Sequence, residues 1–278
     1  MIINNRKVHL SNEIRAAFAL VERQFNLTKR YFAWEFVFLF YSIVNTLTIG
    51  LIAVGMGNGN IETEKHQIMY LIIGALMWGF LSVIFNEISC SIALERWEGT
   101  IEQIFMAPIE RFTHLGGISV FAMIYGLLRT AIVLLAVSFF FGLSLEKANY
   151  WGALLVLFSS CFSFLGLGLL AAVLPLLSPE KGSQATHILE GLLLLISGIY
   201  YPISVLPEWL RPLSYVSPAT YTLEGVRSAL LDGASTASLL PIVGKELILA
   251  VILIPIGLTV FSLSENYAKK VGLLKRNG

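Results

Sequence analysis

Residues Glu95 to Pro108 read E-R-W-E-G-T-I-E-Q-I-F-M-A-P, which places three carboxylates, an arginine and a threonine between two long apolar stretches. The chemistry open to such a set is recognition. Trp97, Ile101, Ile104, Phe105 and Pro108 recur at i, i+4, i+7 and i+8 and share one helical face, while Glu98, Glu102 and Gln103 point elsewhere. Thr100 and Gln103 have capping-box spacing, and Pro108 stops a helix of about two turns. A helix this short does not persist alone in water, so it needs a docking surface, on its own protein or on a partner. Both readings stand at this level.

A second set is charged and lies inside apolar sequence. Arg129 falls near the middle of the third apolar stretch, where an arginine costs about 2.5–3.5 kcal/mol to insert, so it must face the protein interior or a wet cavity. Glu87 and Glu190 are its candidate partners, although both lie nearer a span end than Arg129. An ion pair, a contact to backbone carbonyls and a part in substrate handling all fit. Glu35 sits at a span boundary and reads as an interface carboxylate. Cys90 and Cys161 both fall in apolar runs and read as thiols rather than as a disulfide or metal pair.

No G-x-x-x-x-G-K-[ST] phosphate loop is present; Gly244-Lys245 lacks the upstream glycine and the following Ser or Thr. Neither H-E-x-x-H nor G-x-S-x-G occurs, and His9, His66, His114 and His187 are scattered. Catalysis, a bound cofactor and a metal site are therefore not expected on this chain, nor is a nucleic-acid partner.

The elements that must position these residues follow from composition. A chain of 278 residues with 56% hydrophobic and 13% charged residues, and a mean hydropathy of +0.76, is a polytopic membrane protein. A spanning helix needs about 20 apolar residues. Six stretches qualify: Phe32 to Val54, Gln67 to Leu94, Leu115 to Leu143, Tyr150 to Leu177, His187 to Leu206 and Leu239 to Leu263. They are too long for barrel strands and lack a period of two, so the predicted class is all-α. The predicted plan is one transmembrane domain over residues 1–278, with a cytoplasmic or interfacial helix in 1–31, six spans within 32–263 and a cytoplasmic tail at 264–278.

The basic residues give the orientation. Arg6, Lys7, Arg15, Arg23, Lys29, Arg30, Arg96, Arg111, Lys181, Lys269, Lys270, Lys275 and Arg276 fall on one side, against Lys65, Lys147, Arg211, Arg227 and Lys245 on the other. This bias predicts cytoplasmic termini, with Glu95 to Pro108 and a short Ser178 to Gln184 loop also inside. In Leu10 to Arg30, Leu10, Ile14, Ala17, Phe18, Val21 and Phe25 share one face, the pattern of a helix lying in the membrane interface or packing on the protein.

Pro202, Pro207, Pro212 and Pro218 interrupt the chain every five or six residues and forbid one continuous helix there. Ser217 and Pro218 suit an N-cap and first helical position, opening a helix through Leu231 with Leu223, Val226 and Leu230 on one side. Trp209, Tyr215 and Tyr221 fit either interface anchors of an ordinary extracellular loop or a re-entrant segment.

Two segments carry a resemblance to a known family. E-R-W-E-G-T-I-E-Q-I-F-M-A-P resembles the cytoplasmic loop of ABC transporter permeases of the type-2 exporter family, where such a segment between the second and third spans is the coupling helix for the ATPase subunit. The run Tyr200 to Asp232, containing L-P-E-W-L-R-P-L-S-Y-V-S-P-A-T-Y-T-L-E-G-V-R, is similar to that family's signature before its last span. The resemblance implies an ATPase-coupling role for Glu95, Arg96, Trp97, Glu98, Gly99, Thr100, Ile101, Glu102, Ile104, Phe105 and Pro108. It further implies a re-entrant outer gate with Pro202, Pro207, Trp209, Pro212, Tyr215, Pro218, Tyr221, Glu224 and Arg227.

In that family the first and fifth spans line the path, so Phe36, Phe38, Phe40, Tyr41, Tyr200 and Tyr201 become path-lining candidates. The implied assembly is a dimer, of identical or related permeases, with two cytoplasmic ATPase subunits that hold the ATP and magnesium. It would sit in a prokaryotic plasma or inner membrane, among membrane lipids, and export an amphiphilic, drug-like or lipid- or glycan-linked cargo. An ion-driven secondary transporter would show internal repeats and paired central charges, which this chain lacks. A scaffold without transport would bind no ATPase through Glu95 to Pro108.

Overall fold

The computed structural model describes the backbone of residues 2–56, 61–142 and 148–274, and the side chains of these except 2–10, 61–65, 179, 180, 183 and 185. Helices form wherever the apolar runs are long, and among the described residues there is no strand. They are α1 (Ile2–Arg30), α2 (Phe32–Gly55), α3 (Ile61–Glu98), α4 (Ile101–Met106), α5 (Arg111–Phe141), α6 (Tyr150–Leu177), α7 (Pro179–Ile196), α8 (Arg211–Ser214), α9 (Pro218–Leu230) and α10 (Thr236–Val271). Leu10, Lys147 and the other termini and loop lysines and arginines counted for orientation (Arg6, Lys7, Lys65, Lys275, Arg276) lie outside the described side chains, as does Leu143.

Among the described residues five helices, α2, α3, α5, α6 and α10, are long and apolar enough to cross a membrane. The expected span His187 to Leu206 is corrected in its bounds: helix α7 begins earlier, at Pro179, and stops at Ile196. Gly198 then adopts φ +68° and Pro202 bars further helix, so the rest of the stretch folds as turns and the 3-10 segment Ile203–Val205. The expected loop Ser178 to Gln184 is instead mostly the first turns of α7, which Pro179 opens from the extended Ser178. Likewise the tail expected from residue 264 continues α10 to Val271.

Burial of apolar surface cannot hold helices together in lipid, so close backbone approach must do so. Helices α6 and α10 form the most extensive pair. Gly166 and Gly257 allow it: a Cβ on Gly257 would stand 2.8 Å from the Gly166 carbonyl oxygen, and one on Gly166 would stand 2.6 Å from Leu253 Cβ.

Helix α1 packs on α5 by the same device, because a Cβ on Gly117 would meet Leu20 Cβ at 2.8 Å and the Ala17 carbonyl oxygen at 3.0 Å. The packed side of α1 is therefore Ala17, Leu20, Val21 and the buried Gln24, whose amide donates to Ser91 Oγ at 2.7 Å. Ile14, Phe18 and Phe25, expected on one apolar face with Ala17 and Val21, remain exposed to the surroundings of the bundle. The helix thus has one side on protein and one side outward. Gly117→Leu is expected to lift α1 from α5 and raise hydrogen exchange in residues 11–30 severalfold, while exchange in α6 is unchanged.

Candidate functional site

The end of the bundle that carries α4 is built from α1, α3, α4, α5 and α10. Helix α3 ends at Glu98, and Gly99, with φ +73°, turns the chain back so that α4 starts two residues later. Ala107 is extended, as a residue before proline must be, and Pro108 ends the segment. The capping box expected at Thr100 does not form. Thr100 takes helical dihedrals, and its hydroxyl lies 3.4 Å from the Glu95 carbonyl oxygen instead of reaching into α4.

The apolar face expected for the segment divides in two. Ile101 and Phe105 are buried in the apolar core that α3, α5 and α6 share, with Ile104 half-buried. Trp97 is 64% exposed, and Pro108 is exposed as well. The reason is the turn at Gly99, which breaks the helical phase that would have aligned Trp97 with Ile101. Trp97, Glu98, Glu102, Gln103, Met106 and Pro108 consequently form the outward surface of this end.

Glu95 and Arg96 correct the sequence reading in the opposite direction, because both are buried. Glu95 Oε1 accepts from Arg23 Nη1 of α1 at 2.8 Å and lies 3.2 Å from His114 Nε2 of α5. It is a tie among three helices. Glu95→Ala removes the shared acceptor and is expected to cost about 2 kcal/mol, from the usual worth of a charge-assisted bond. The check is the unfolding midpoint in detergent, together with freer exchange in α1.

Residues that the sequence reading missed hold α4 from behind. Arg111, at the start of α5, donates from Nη2 to the Phe105 carbonyl at 2.6 Å and stacks over the Phe105 ring at 4.3 Å. Its Nε lies 3.0 Å from both carboxylate oxygens of Glu265 on α10, and Lys269 Nζ lies 2.5 Å from Glu265 Oε1. An arginine near the last carbonyls of a helix satisfies groups that α4 cannot satisfy internally. Only the position of Arg111 three residues after Pro108 hinted at this; Glu265 lies 154 residues away.

Within the bundle, Arg129 meets backbone and hydroxyl groups. Its Nη2 donates to the Phe38 carbonyl and to Ser42 Oγ, each at 2.7 Å, and Nη1 lies 3.5 Å from the Tyr125 hydroxyl, which in turn donates to Glu35. Glu190, a candidate partner, accepts instead from Asn86 at 2.8 Å and lies 3.3 Å from His187 Nδ1. Glu87 makes no ion pair with Arg129, whose guanidinium is taken up by the Phe38 carbonyl and Ser42. Glu35, read as a bystander at the interface, is thus the carboxylate of this cluster. A small cavity lined by Ser42, Thr46, Gly79, Arg129 and Thr130 adjoins it, with about 20 Å³ of space, enough for one water.

Phe36, Phe38, Phe40 and Tyr41 are exposed on the outward side of α2. Tyr200 packs against the core cluster near α9, and the Tyr201 hydroxyl donates to the Leu195 carbonyl. A larger apolar cavity of about 950 Å³ between α1, α5, α6 and α10 has none of these rings in its lining.

At the opposite end the prolines break the chain as expected. Ser217 is extended, Pro218 opens α9, and Leu223, Val226 and Leu230 are all buried. The Ser217 hydroxyl pairs with Ser197 Oγ at 2.7 Å and not with the helix. Arg227 Nη2 donates to the Ile199 carbonyl at 2.7 Å, its Nη1 donates to that of Gly198 at 3.2 Å, and its guanidinium lies 3.5 Å from the Tyr70 ring centroid. The Tyr221 hydroxyl donates to the Tyr215 carbonyl at 2.8 Å. Pro202, Pro207, Trp209, Pro212, Tyr215 and Glu224 remain exposed. Among the described residues no group of three His, Cys, Asp or Glu is placed to hold a metal.

Two kinds of similarity agree with this architecture. The chain is 25% identical over 195 residues to the inner membrane transport permease YadH of Escherichia coli K12, a match covering 68% of this chain and 73% of that protein. It is 24% identical over 167 residues to the linearmycin resistance permease protein LnrN of Bacillus subtilis 168, covering 59% of this chain and 42% of that one. The profile of the ABC-2 type transporter family matches residues 15–231, from α1 through α9 and including α4. With long apolar helices throughout, α4 between α3 and α5 and a broken segment before α10, the chain belongs to the ABC-2 type transporter membrane family.

Proposed function

We propose that this chain is the permease subunit of an ATP-driven exporter, in which α4 docks into a cytoplasmic ATPase subunit. The observation that carries the reading is the division of α4: Ile101 and Phe105 seat it on its own bundle, while Glu98, Glu102, Gln103 and Met106 face outward. A helix anchored on one side and open on the other can receive a push without being dislodged. Arg15, Arg23, Lys29, Arg30, Arg96, Arg111 and Lys269 crowd the same end, which supports a cytoplasmic orientation for α4 and for both termini. The site for ATP and magnesium belongs to the partner, and the family match sets the ion-gradient alternative aside.

Two ATPases and two permeases, identical or related, complete the complex. Nucleotide-driven closure of the ATPases pushes on α4 and on α1, and rigid spans carry the motion outward to the segment around α9. The inner membrane placement of YadH and the linearmycin resistance role of LnrN support a prokaryotic inner or plasma membrane and an amphiphilic or drug-like cargo.

The test is co-purification of the tagged chain with the ATPase encoded beside it, followed by ATP hydrolysis in lipid. Stoichiometric recovery of the ATPase, lost when the outward surface of α4 is altered, is the expected result. A properly inserted chain that recovers no ATPase would overturn the reading.

A further inference from the structure

Helix α10 carries a buried carboxylate near each end, and both point to the same side. Glu246, Ala250, Leu253, Gly257, Phe261, Glu265 and Ala268 follow one another at three- and four-residue steps, and every one but the half-buried Leu253 is buried. At 1.5 Å per residue, Glu246 and Glu265 stand about 28 Å apart along the axis. Each is bound to a different part of the fold.

At the α4 end, Arg111 bridges the Phe105 carbonyl to Glu265, so displacement of α4 pulls directly on α10. At the α9 end, Glu246 Oε1 lies 2.9 Å from Thr222 Oγ1, on the buried side of α9, and Ser159 of α6 donates to the other oxygen. Ser163 Oγ adds a bond of 2.8 Å to the Glu246 carbonyl. Between the two ends the seam is narrow and tight. Pro255, which removes one backbone bond from the helix, lies on the exposed side, and the turn it weakens is braced where Gly257 meets the Gly166 carbonyl.

We infer that α10 is a connecting rod, with Glu265 and Glu246 as positioning residues that couple displacement of α4 to displacement of the α9 segment. This rests on the reading that α4 docks an ATPase. Packed helices with small residues between them transmit a shift as a unit, because the seam has no slack to absorb it.

The test uses the full permease–ATPase complex in lipid, comparing hydrogen exchange with ADP and with ATP plus vanadate. Residues 99–110 report ATPase docking, and residues 203–230 report the outer segment. In the wild type, nucleotide is expected to change exchange in 203–230 severalfold. Thr222→Val is expected to abolish that change while 99–110 stays protected by the ATPase, and Thr222→Ser, which keeps the hydroxyl, restores it. Glu265→Gln is expected to abolish the change from the other end, with thermal unfolding used to verify an intact bundle in each variant.

A nucleotide response in 203–230 that survives both Thr222→Val and Glu265→Gln overturns the rod while leaving ATPase docking intact. So does a wild type whose 99–110 segment is protected but whose 203–230 segment does not respond. Absence of protection at 99–110 in the wild type overturns the docking reading, and the rod with it.

Discussion

A chain carrying Glu98→Arg with Glu102→Arg is expected to insert and fold as the wild type does, and to recover less than a tenth of the ATPase in co-purification. Both carboxylates are exposed on the outward surface of this end, so their reversal disturbs no apolar packing, and the group it meets within the chain is the Arg96 guanidinium, which feels the Glu102 charge. Surface changes of this kind usually shift stability by no more than about 0.5 kcal/mol. At an interface, in contrast, a like-charge meeting costs several kcal/mol, and about 1.4 kcal/mol already means a tenfold loss.

The contrast with Ile101 matters for choosing the variant. Ile101 is completely buried, so Ile101→Asp would place a carboxylate in the seat of α4 and disturb the bundle, and its failure to bind would say nothing about docking. Met106→Asp, on a side chain 77% exposed, is the independent check from the apolar part of the same surface. Undiminished recovery from the double charge reversal would mean that α4 is only a connecting turn.

Arg227→Met is expected to have the largest effect on stability of any single substitution in the α9 segment. It removes the donors for the Tyr70, Gly198 and Ile199 carbonyls while filling similar space. Each carbonyl left dry costs about 1–3 kcal/mol, so the loss sums to several kcal/mol. Gly74 allows this arrangement, since a Cβ there would stand 2.2 Å from the Ile199 carbonyl oxygen. The expected readout is a lower unfolding midpoint in detergent with proteolysis between residues 198 and 217. An unchanged midpoint and cleavage pattern would show that the turn at Gly198 holds without Arg227.

The sequence by itself determined the class, the helices and most of their ends, because these depend on residues that are neighbours along the chain. Apolar runs of more than about 20 residues become helices in lipid whatever surrounds them. Gly99 and Pro108 delimit α4, and Pro218 opens α9, through backbone preferences that no tertiary contact needs to supply. Even the end of the fifth helix at Ile196 was written in Gly198 and Pro202, although hydropathy alone ran past them to Leu206.

Only the tertiary structure decided which side of each helix faces protein. Glu95 looked like a charge offered outward until the docking of α1 and α5 enclosed it between Arg23 and His114. Arg129 could have met Glu87 or Glu190, and the rotation of α2 against α5 gave it the Phe38 carbonyl, Ser42 and Tyr125 instead. Arg111 and Glu265 meet because α5 and α10 converge beneath α4, a meeting that no local spacing encodes. Rotations and crossings of this kind are set by where glycines such as Gly117, Gly166 and Gly257 let backbones approach, and that choice is made only when the helices pack.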